Sequence, residues 1–516
     1  MQGKKQYAEK LFTSFQLSDH IPADNFYRRL KDLLDLQWLY KATKKYYGTQ
    51  GQKSIDPIVF FKLMLIGYLE NLGSDRRIMH TVGLRLDMLY FLGYDIDEEL
   101  PWHSTLSRTR QLYGEELFKQ LFKDVLKQCI EKGMVAGRRQ VMDSVAVKAN
   151  ASMSSLKEKE ILDDASAYAD ELKSEEEEKE NNDHNVASTD DGKTVSAVRN
   201  KAVQLHHKWK EKAYKGMPGG EGRKYVSNHT HYSSTDADAR VSVKPGKPRQ
   251  LNYLSQVSVD AAHHVITHIQ ADYADKKDSQ CLPTMLENTI NNLKQCGVEV
   301  EEVYADAGYS SGEALRALEQ NNITGYIPNF GQYKPSRQGF TYDEQNDRYT
   351  CGRGIHLPFK KLTTTSLGYK MKVYRSSARD CGPCPLRSVC IGKSDFKKID
   401  DSIDKPYYDR MHERLEKRSR NKIKRIRSST VEPVLGTLVN YLSMRRVNTR
   451  GIKQANKCML MAAVAYNLKK LMKWQQQKRK TAVMTMKKAE KSFCLLFFKL
   501  CGSIQLHNYL QVNFAF

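Results

Sequence analysis

Apolar residues recur at helical spacing through the first quarter of the chain. They fall three or four positions apart, on one helix face, in "GEELFKQLFKDVLKQCIEKG", where Gly133 is placed to end the helix. A second helix is predicted for "DPIVFFKLMLIGYLENLG". A turn and a helix capped by Ser104 or Thr105 are predicted for "PWHSTLSRTRQLYG". Residues 1–135 are therefore predicted to form a helical N-terminal domain.

The spacing of apolar residues changes to β alternation after residue 135. Val141, Asp143 and Val145 alternate with Met142 and Ser144 in "RRQVMDSVAVKANAS", which predicts a first strand within 136–154. A second β pattern starts near residue 236, with "DARVSVKPG" and "RQLNYLSQVSVDAAHHVITHIQADY". The Pro and Gly residues of one turn and the Ala-Ala-His-His of the next predict an antiparallel meander.

Helices and strands then alternate up to residue 330. An amphipathic helix ending at Gly297 is predicted for "LPTMLENTINNLKQCG". The next segment, "VEVEEVYADAGYSSGEAL", predicts a strand, a turn at Asp306 and a helix with a capping box from Ser310 to Glu313. A further strand is predicted for "ITGYIPN". Such alternation is typical of parallel strands with crossover helices, so residues 236–330 are predicted to form the core of a mixed α/β sheet.

The other regions differ in composition from this core. Residues 155–235 form a polar insertion, predicted to be partly disordered or helical because "KSEEEEKENNDHN" cannot bury a core. Residues 331–405 form a second insertion, which contains cysteines. Residues 406–475 combine the basic "MHERLEKRSRNKIKRIRSS" with an apolar helix in "TVEPVLGTLVNYL" and a last long helix. The tail at 476–516 predicts nothing further.

The charge balance bears on the partner. The chain has 83 Lys and Arg residues against 60 Asp and Glu, a formal net charge of +23. This excess favours a polyanionic partner, nucleic acid ahead of a membrane, although a merely basic soluble protein is the alternative. The sequence has no signal-peptide pattern and no apolar run near the roughly 18 residues of a membrane span. The sequence therefore predicts a cytoplasmic protein with no membrane partner. Its ten cysteines are predicted to be free thiols or metal ligands.

Three carboxylates occupy positions that are typical of a metal-binding or catalytic site. Asp143 lies inside an apolar β run, where a charge is costly unless it is paired or bound to metal. Asp306 follows a strand at the edge where open α/β sheets bind ligands, although it is otherwise explained as a turn or cap residue. Glu432 precedes Pro433 at the predicted start of a helix. Three converging carboxylates can hold one or two Mg²⁺ or Mn²⁺ ions for phosphodiester chemistry.

Two weaker patterns add candidate sites. Four thiolates, the number that a structural zinc site needs, are supplied by Cys351, Cys381, Cys384 and Cys390. Reduced thiols without metal are the alternative for this group. Arg108 and Arg110 lie on the predicted capped helix, which suits contact with DNA phosphates, although an ordinary surface helix explains them equally well.

Several segments resemble DDE transposases of bacterial insertion sequences. Three segments of this chain resemble the three catalytic blocks of these transposases and occur in the same order. They are "QVMDSVAVKANAS", "VYADAGYSSGEAL" and "STVEPVLGTLVNYLSMRRVNTRG". The usual final segment of these transposases is similar to "VAYNLKKL", and their N-terminal helical domain to the stretch from "DPIVFFKLMLIGYLENLGSDRRI" to "LPWHSTLSRTRQ". The resemblance covers roughly residues 25–475.

This resemblance implies a ribonuclease H-like fold, an α/β structure whose mixed sheet has helices on both faces. It implies that Asp143, Asp306 and Glu432 form a catalytic triad that binds Mg²⁺ or Mn²⁺, with Asp278 as a possible accessory residue. Asp278 is otherwise explained as a helix N-cap. The activity implied is binding of inverted repeats in double-stranded DNA, cleavage at the transposon ends and transfer of the 3′-hydroxyl into target DNA.

The resemblance also implies partners and contacts. A homodimer is expected in the synaptic complex, in a bacterial cytoplasm and on the nucleoid when DNA is bound. The DNA contacts expected near the third acid are Arg427, Arg445, Arg446, Arg450 and Lys453. Val439 stands where related transposases often carry a Lys. An inactive DNA-binding descendant therefore stays open as an alternative, as does a metal-dependent nuclease of the same fold.

Overall fold

The computed structural model describes residues 15–48, 54–158, 228, 230–242, 248–329, 335–365, 369–417, 420–478 and 481. The chain divides into two compact units. One comprises residues 1–136, 262–266 and 461–516, and the other comprises 137–261 and 267–460. The predicted polar insertion and the predicted tail lie largely outside the described residues.

The first unit contains the predicted N-terminal helices. They are α1 (Leu17–His20), α2 (Phe26–Leu33), α3 (Trp38–Thr43), α4 (Pro57–Leu69), α5 (Asp75–Gly83), α6 (Leu86–Leu92), α7 (His103–Leu112) and α8 (Glu115–Glu131). Asp56 caps α4, because its Oδ1 accepts hydrogen bonds from the Ile58 and Val59 amides at 2.7 and 3.1 Å. Almost every residue of α4 is buried. This helix therefore runs through the core of the unit, as its nearly continuous apolar sequence requires.

Arg110 belongs to this core and not to its surface. Its side chain is 2% exposed and donates to the Asp75 carboxylate at 2.6 and 3.2 Å. The prediction that Arg110 contacts DNA is therefore wrong, because the guanidinium is buried and paired with the Asp75 carboxylate inside the unit. Helix α7 also begins at His103, ahead of the predicted hydroxyl cap. Arg108 is exposed on the same helix, and its contact with DNA stays a prediction.

The second unit is built on a mixed sheet, which has six strands in the described residues. In chain order the strands of the unit up to residue 326 are β1 (Arg139–Lys148), β2 (Leu156–Glu158), β3 (His231–Ser233), β4 (Arg240–Ser242), β5 (Gln250–Asp260), β6 (Ile266–Tyr273), β7 (Glu302–Tyr304) and β8 (Thr324–Tyr326). The order in the sheet is β4-β5-β1-β7-β8, and β6 also pairs with β5, whereas β2 and β3 form a separate pair. Strand β1 is antiparallel to β5 and parallel to β7, which is parallel to β8.

Helices connect the later strands of the mixed sheet. Helix α9 (Asp278–Lys294) lies between β6 and β7 in the chain, and α10 (Gly312–Gln320) lies between β7 and β8. The predicted alternation of helix and strand is confirmed, and the strand order is that of a ribonuclease H-like fold. The cap of α10 is Ser311, whose hydroxyl accepts the Ala314 amide at 3.1 Å. The helix therefore begins one residue later than predicted, and the predicted capping box is absent because the third helical residue is Ala314.

A second sheet, absent from the sequence prediction, occupies the Cys-containing insertion. It is antiparallel and consists of β9 (Phe340–Asp343), β10 (Arg348–Cys351), β11 (His356–Thr364), β12 (Lys370–Arg375) and β13 (Lys398–Ser402). Two short helices follow β12, α11 (Ala378–Cys381) and α12 (Arg387–Cys390). The core of this sheet is small, and most residues of β11 are exposed. The strands therefore lack the alternation of apolar and polar residues that predicts a half-buried sheet.

The C-terminal part is helical. Helix α13 (Lys405–Lys417) precedes α14 (Arg420–Tyr441), and a last helix, α15, covers 452–478. The sequence places a helix start just before Pro433, but this residue lies inside α14. The helix continues through it because the buried residues Ile423, Val431, Val434 and Leu438 form one apolar stripe along its whole length.

Two aspartates fix the start of α15 within the second unit. Asp236 accepts hydrogen bonds from the Tyr253 hydroxyl at 2.7 and 2.8 Å and from the Gly451 amide at 3.1 Å. Asp238 accepts the Ile452 amide at 2.8 Å, where a negative charge favours a helix N-terminus. In the part of the chain that the structure describes, no helix combines the length and apolar character needed to cross a bilayer.

Candidate active site

Strand register brings the first two predicted acids together. Val141 of β1 pairs with Tyr304 of the parallel strand β7. Asp143 and Asp306 each lie two residues beyond this pair, so they occupy the same level of two adjacent strands. Glu432 is supplied by α14, which packs against β1 and β5. The sheet and one helix thus bring together three residues that are distant in sequence.

The guanidinium of Arg427 lies among these three carboxylates. Its Nη1 is 3.5 Å from Asp143 Oδ2 and 3.6 Å from Asp306 Oδ2, and its Nη2 is 3.9 Å from Glu432 Oε1. These separations form ion pairs but exceed the roughly 2.7–3.2 Å of an N–H···O hydrogen bond. One positive charge therefore faces three negative ones, and the centre keeps an excess of negative charge.

A fourth carboxylate, Asp278, stands beside this centre. It is the first residue of α9, and its Oδ1 accepts a hydrogen bond from Gln256 Nε2 at 2.9 Å. The buried Tyr309 hydroxyl donates to Gln256 Oε1 and so fixes the orientation of that amide. A Cβ atom on Gly308 would lie 3.0 Å from Asp306 Oδ1 and 3.3 Å from Asp278 Oδ2. The glycine therefore leaves space between two carboxylates.

Burial sets the protonation of Asp143. It raises the pKa of this carboxyl to about 6, against the opposing effects of the Ser144 amide, which donates at 2.8 Å, and of Arg427. The neighbouring Asp306 and Asp278 raise the pKa further. Burial likewise raises the pKa of Tyr309 well above its usual range, with the nearby carboxylates adding to the effect. Tyr309 therefore stays a neutral hydrogen-bond donor at any physiological pH.

Replacing Asp143 with Asn is expected to stabilise the metal-free protein above pH 6. A carboxyl whose pKa is raised on folding destabilises the folded state when it is ionised, and this penalty fades as pH falls from about 6 towards the usual value near 4. Urea unfolding at pH 8 and pH 4 measures the difference. The variant should exceed the wild type at pH 8 and match it at pH 4.

Asp395→Asn is the control, because this carboxylate is 76% exposed. It should leave stability unchanged at both pH values. Equal stability of Asp143→Asn and wild type at pH 8 would contradict the view that Asp143 carries a buried charge.

The basic residues predicted to contact DNA fall into two groups. Arg445, Arg446 and Arg450 are exposed in the segment between α14 and α15, and Lys453 is exposed in the first turn of α15. This segment lies beside the end of β1, where the Lys148 amide donates to the Arg445 carbonyl at 3.2 Å. Their exposure suits DNA contact, which stays a prediction. Arg427 differs from them, because its charged group is directed at the acidic centre.

The four cysteines predicted as zinc ligands lie on different elements of the Cys-containing insertion. Cys351 packs against its core, whereas Cys381, Cys384 and Cys390 lie on or between α11 and α12. All four are free thiols. Across the described ranges, no three His, Cys, Asp or Glu side chains are placed to hold a metal ion together. The zinc prediction gains no support from this arrangement. At the candidate active site, the position between the three carboxylates is occupied by the guanidinium of Arg427.

Sequence reasoning missed how three residues serve the site. Gln256 and Tyr309, which hold Asp278, were not identified, and Arg427 was expected only at DNA. Arg427 gave a readable signal, because it stands four residues after Ile423 and four before Val431, on the buried stripe of α14. A charged residue at such a position must meet a partner of opposite charge.

The comparisons with known proteins bear on the family of the chain. A family model described as "Transposase domain (DUF772)" matches residues 15–112, which include α1 to α7. A second, "Transposase DDE domain", matches residues 350–472 and includes Arg427 and Glu432, but it does not reach Asp143 or Asp306. A search of the curated proteins gave no match. Two transposase matches in the expected order, together with the ribonuclease H-like sheet, assign the chain to a family: it belongs to the DDE transposases of the insertion-sequence type.

Proposed function

We propose that this transposase cleaves DNA phosphodiester bonds at the ends of its element and transfers the freed 3′-hydroxyl into target DNA. Divalent ions held by Asp143, Asp306 and Glu432 would support both steps. The observation that carries the proposal is the convergence of these three carboxylates, from a strand, a strand end and a helix, within 3.9 Å of one guanidinium.

The donor set fits a hard divalent cation. All three groups are carboxylates, whose oxygens Mg²⁺ and Mn²⁺ prefer, and soft ligands are not needed. The three carboxylates face a single guanidinium, so the centre has a deficit of positive charge that a divalent ion would fill. Ions bound here would activate a water or hydroxyl nucleophile and stabilise the leaving oxygen.

The protein's own residues would prepare the site. Asp143 must be ionised to act as a ligand, so the site would work best above pH 6. The amide of Gly308 donates to Asp306 Oδ1 at 2.9 Å and directs the other oxygen, Oδ2, towards the centre where Arg427 lies. Tyr309 and Gln256 would hold Asp278 beside the ligands as an accessory carboxylate.

As a transposase, the chain acts on DNA. We propose that the helical domain of residues 1–135 binds the inverted repeats and that Arg108 takes part. The exposed Arg445, Arg446, Arg450 and Lys453 would bind backbone phosphates, in keeping with the net charge of +23. A homodimer that joins two ends, in the bacterial cytoplasm, completes the proposal.

The test is an assay of the full chain on duplex DNA that carries the inverted repeats flanking its gene. With Mg²⁺ or Mn²⁺ we expect strand cleavage at the repeat ends and joining of those ends to a target plasmid, and with EDTA neither product. End binding without cleavage in any divalent ion would favour the inactive DNA-binding alternative. Cleavage without preference for the ends, and without joining, would favour a nuclease.

A further inference from the structure

Helix α14 carries a row of basic residues, and among those whose side chains the structure describes, Arg427 is the one on the buried stripe. Lys422, Lys424 and Arg425 are exposed, whereas the Arg427 side chain is 24% exposed and faces the acids. Its position is fixed by helix periodicity, since the apolar residues one turn before and one turn after it are buried. The guanidinium is thus delivered to the acidic centre by the same helix that delivers Glu432.

The contacts of Arg427 are loose in comparison with the structural arginines of this chain. Arg110 reaches Asp75 at 2.6 Å, and Arg410 reaches Glu319 at 2.6 Å, both at hydrogen-bonding distance. Arg427 is 3.5 to 3.9 Å from each of its three carboxylates. It offsets part of their charge without a hydrogen bond to any of them, whereas the structural ion pairs are held by short charge-assisted hydrogen bonds.

Arg427 and a divalent ion would compete for the same carboxylate oxygens. Asp143 Oδ2 and Asp306 Oδ2 face the guanidinium, and these oxygens would have to coordinate the metal. A guanidinium a few ångströms from a divalent cation is also repelled by it. The long Arg side chain has another acceptor in the complex, because a DNA phosphate presents two oxygens that match its fork geometry.

We propose that Arg427 is an exchangeable counter-ion of the acidic centre. It offsets part of the negative charge of the carboxylates in the absence of metal and DNA, and it leaves them when a divalent ion enters. Loading of metal is thereby coupled to DNA, because the phosphate backbone offers the released guanidinium a new partner. This inference rests on the proposed metal-dependent function.

The experiment measures Mn²⁺ binding to the full chain without DNA, by the loss of the free-ion electron paramagnetic resonance signal. Arg427→Gln is expected to bind Mn²⁺ about tenfold more tightly than the wild type, because one competing positive charge has gone. Arg427→Lys, which keeps the charge, should stay near wild-type affinity. Arg425→Gln, an exposed change two residues earlier on the same helix, is the matched control and should bind as the wild type does.

Melting temperatures of all variants show that they fold, and they give a second readout. Mn²⁺ should raise the melting temperature of Arg427→Gln more than that of the wild type. Equal Mn²⁺ affinity of Arg427→Gln, Arg425→Gln and wild type would overturn the exchange while leaving the metal site intact. Failure of every variant, the wild type included, to bind Mn²⁺ would overturn the proposed function and this inference together.

Discussion

Asp306→Asn is expected to abolish DNA cleavage by this transposase while leaving its binding to transposon ends nearly unchanged. The substitution keeps the size of the side chain and its contact with the Gly308 amide at 2.9 Å. It removes the negative charge from Oδ2, the oxygen that faces the centre. Because metal-assisted charge stabilisation contributes several kcal/mol to such reactions, cleavage should fall by about a thousandfold or more.

The measurement compares single-turnover cleavage and end binding on the same labelled duplex. Asp395→Asn, on the exposed side of the insertion, serves as control for the loss of one acidic charge and should cleave at the wild-type rate. Cleavage by Asp306→Asn at the wild-type rate would remove Asp306 from the active site. Loss of binding and cleavage together would show that the carboxylate holds the fold and not the chemistry.

Asp75→Ala is expected to destabilise the helical unit by about 3–5 kcal/mol, because it leaves the charge of a buried arginine without its carboxylate. Arg110 is 2% exposed, and its two hydrogen bonds to Asp75 join α7 to α5. Amide hydrogen exchange of these two helices in the full chain measures their free energy of opening. Arg108→Ala, on the exposed side of α7, should change it by no more than about 0.5 kcal/mol.

A double variant separates stability from DNA recognition at this position. Asp75→Leu with Arg110→Met replaces the ion pair by apolar side chains and should recover much of the lost stability. It should also bind transposon ends as tightly as the wild type, since Arg110 does not reach the surface. Weaker binding of transposon ends by a stable double variant would show that Arg110 does contribute to DNA binding.

Much of the catalytic fold follows from local patterns. The alternation of Val141, Asp143 and Val145 identified β1, and the helix–strand alternation to residue 329 identified the parallel half of the sheet. These strands and helices bury at least one face, so the spacing of their apolar residues shows their periodicity. The second sheet was missed for the opposite reason, because most of β11 is exposed and its small core leaves no regular pattern.

Where local signals and packing compete, packing decides. Pro433 is a common signal of a helix start, yet α14 continues through it because its apolar stripe is anchored on both sides. Arg110 is of a residue type that often contacts phosphate, but its partner Asp75 is 35 residues away in sequence and only the fold reveals the pair. A sequence shows which residues carry charge, whereas their exposure depends on neighbours that are distant along the chain.

The sequence by itself determined the family resemblance, the helical and mixed-sheet organisation, and the three acids, because these are recorded in local periodicity and ordered blocks. Only the tertiary structure decided that Asp143 and Asp306 stand level on adjacent parallel strands, since register is a property of pairing. It also decided that Arg427 lies among the acids and that Arg110 is buried. Charge placement of this kind depends on long-range contacts, which no single segment encodes.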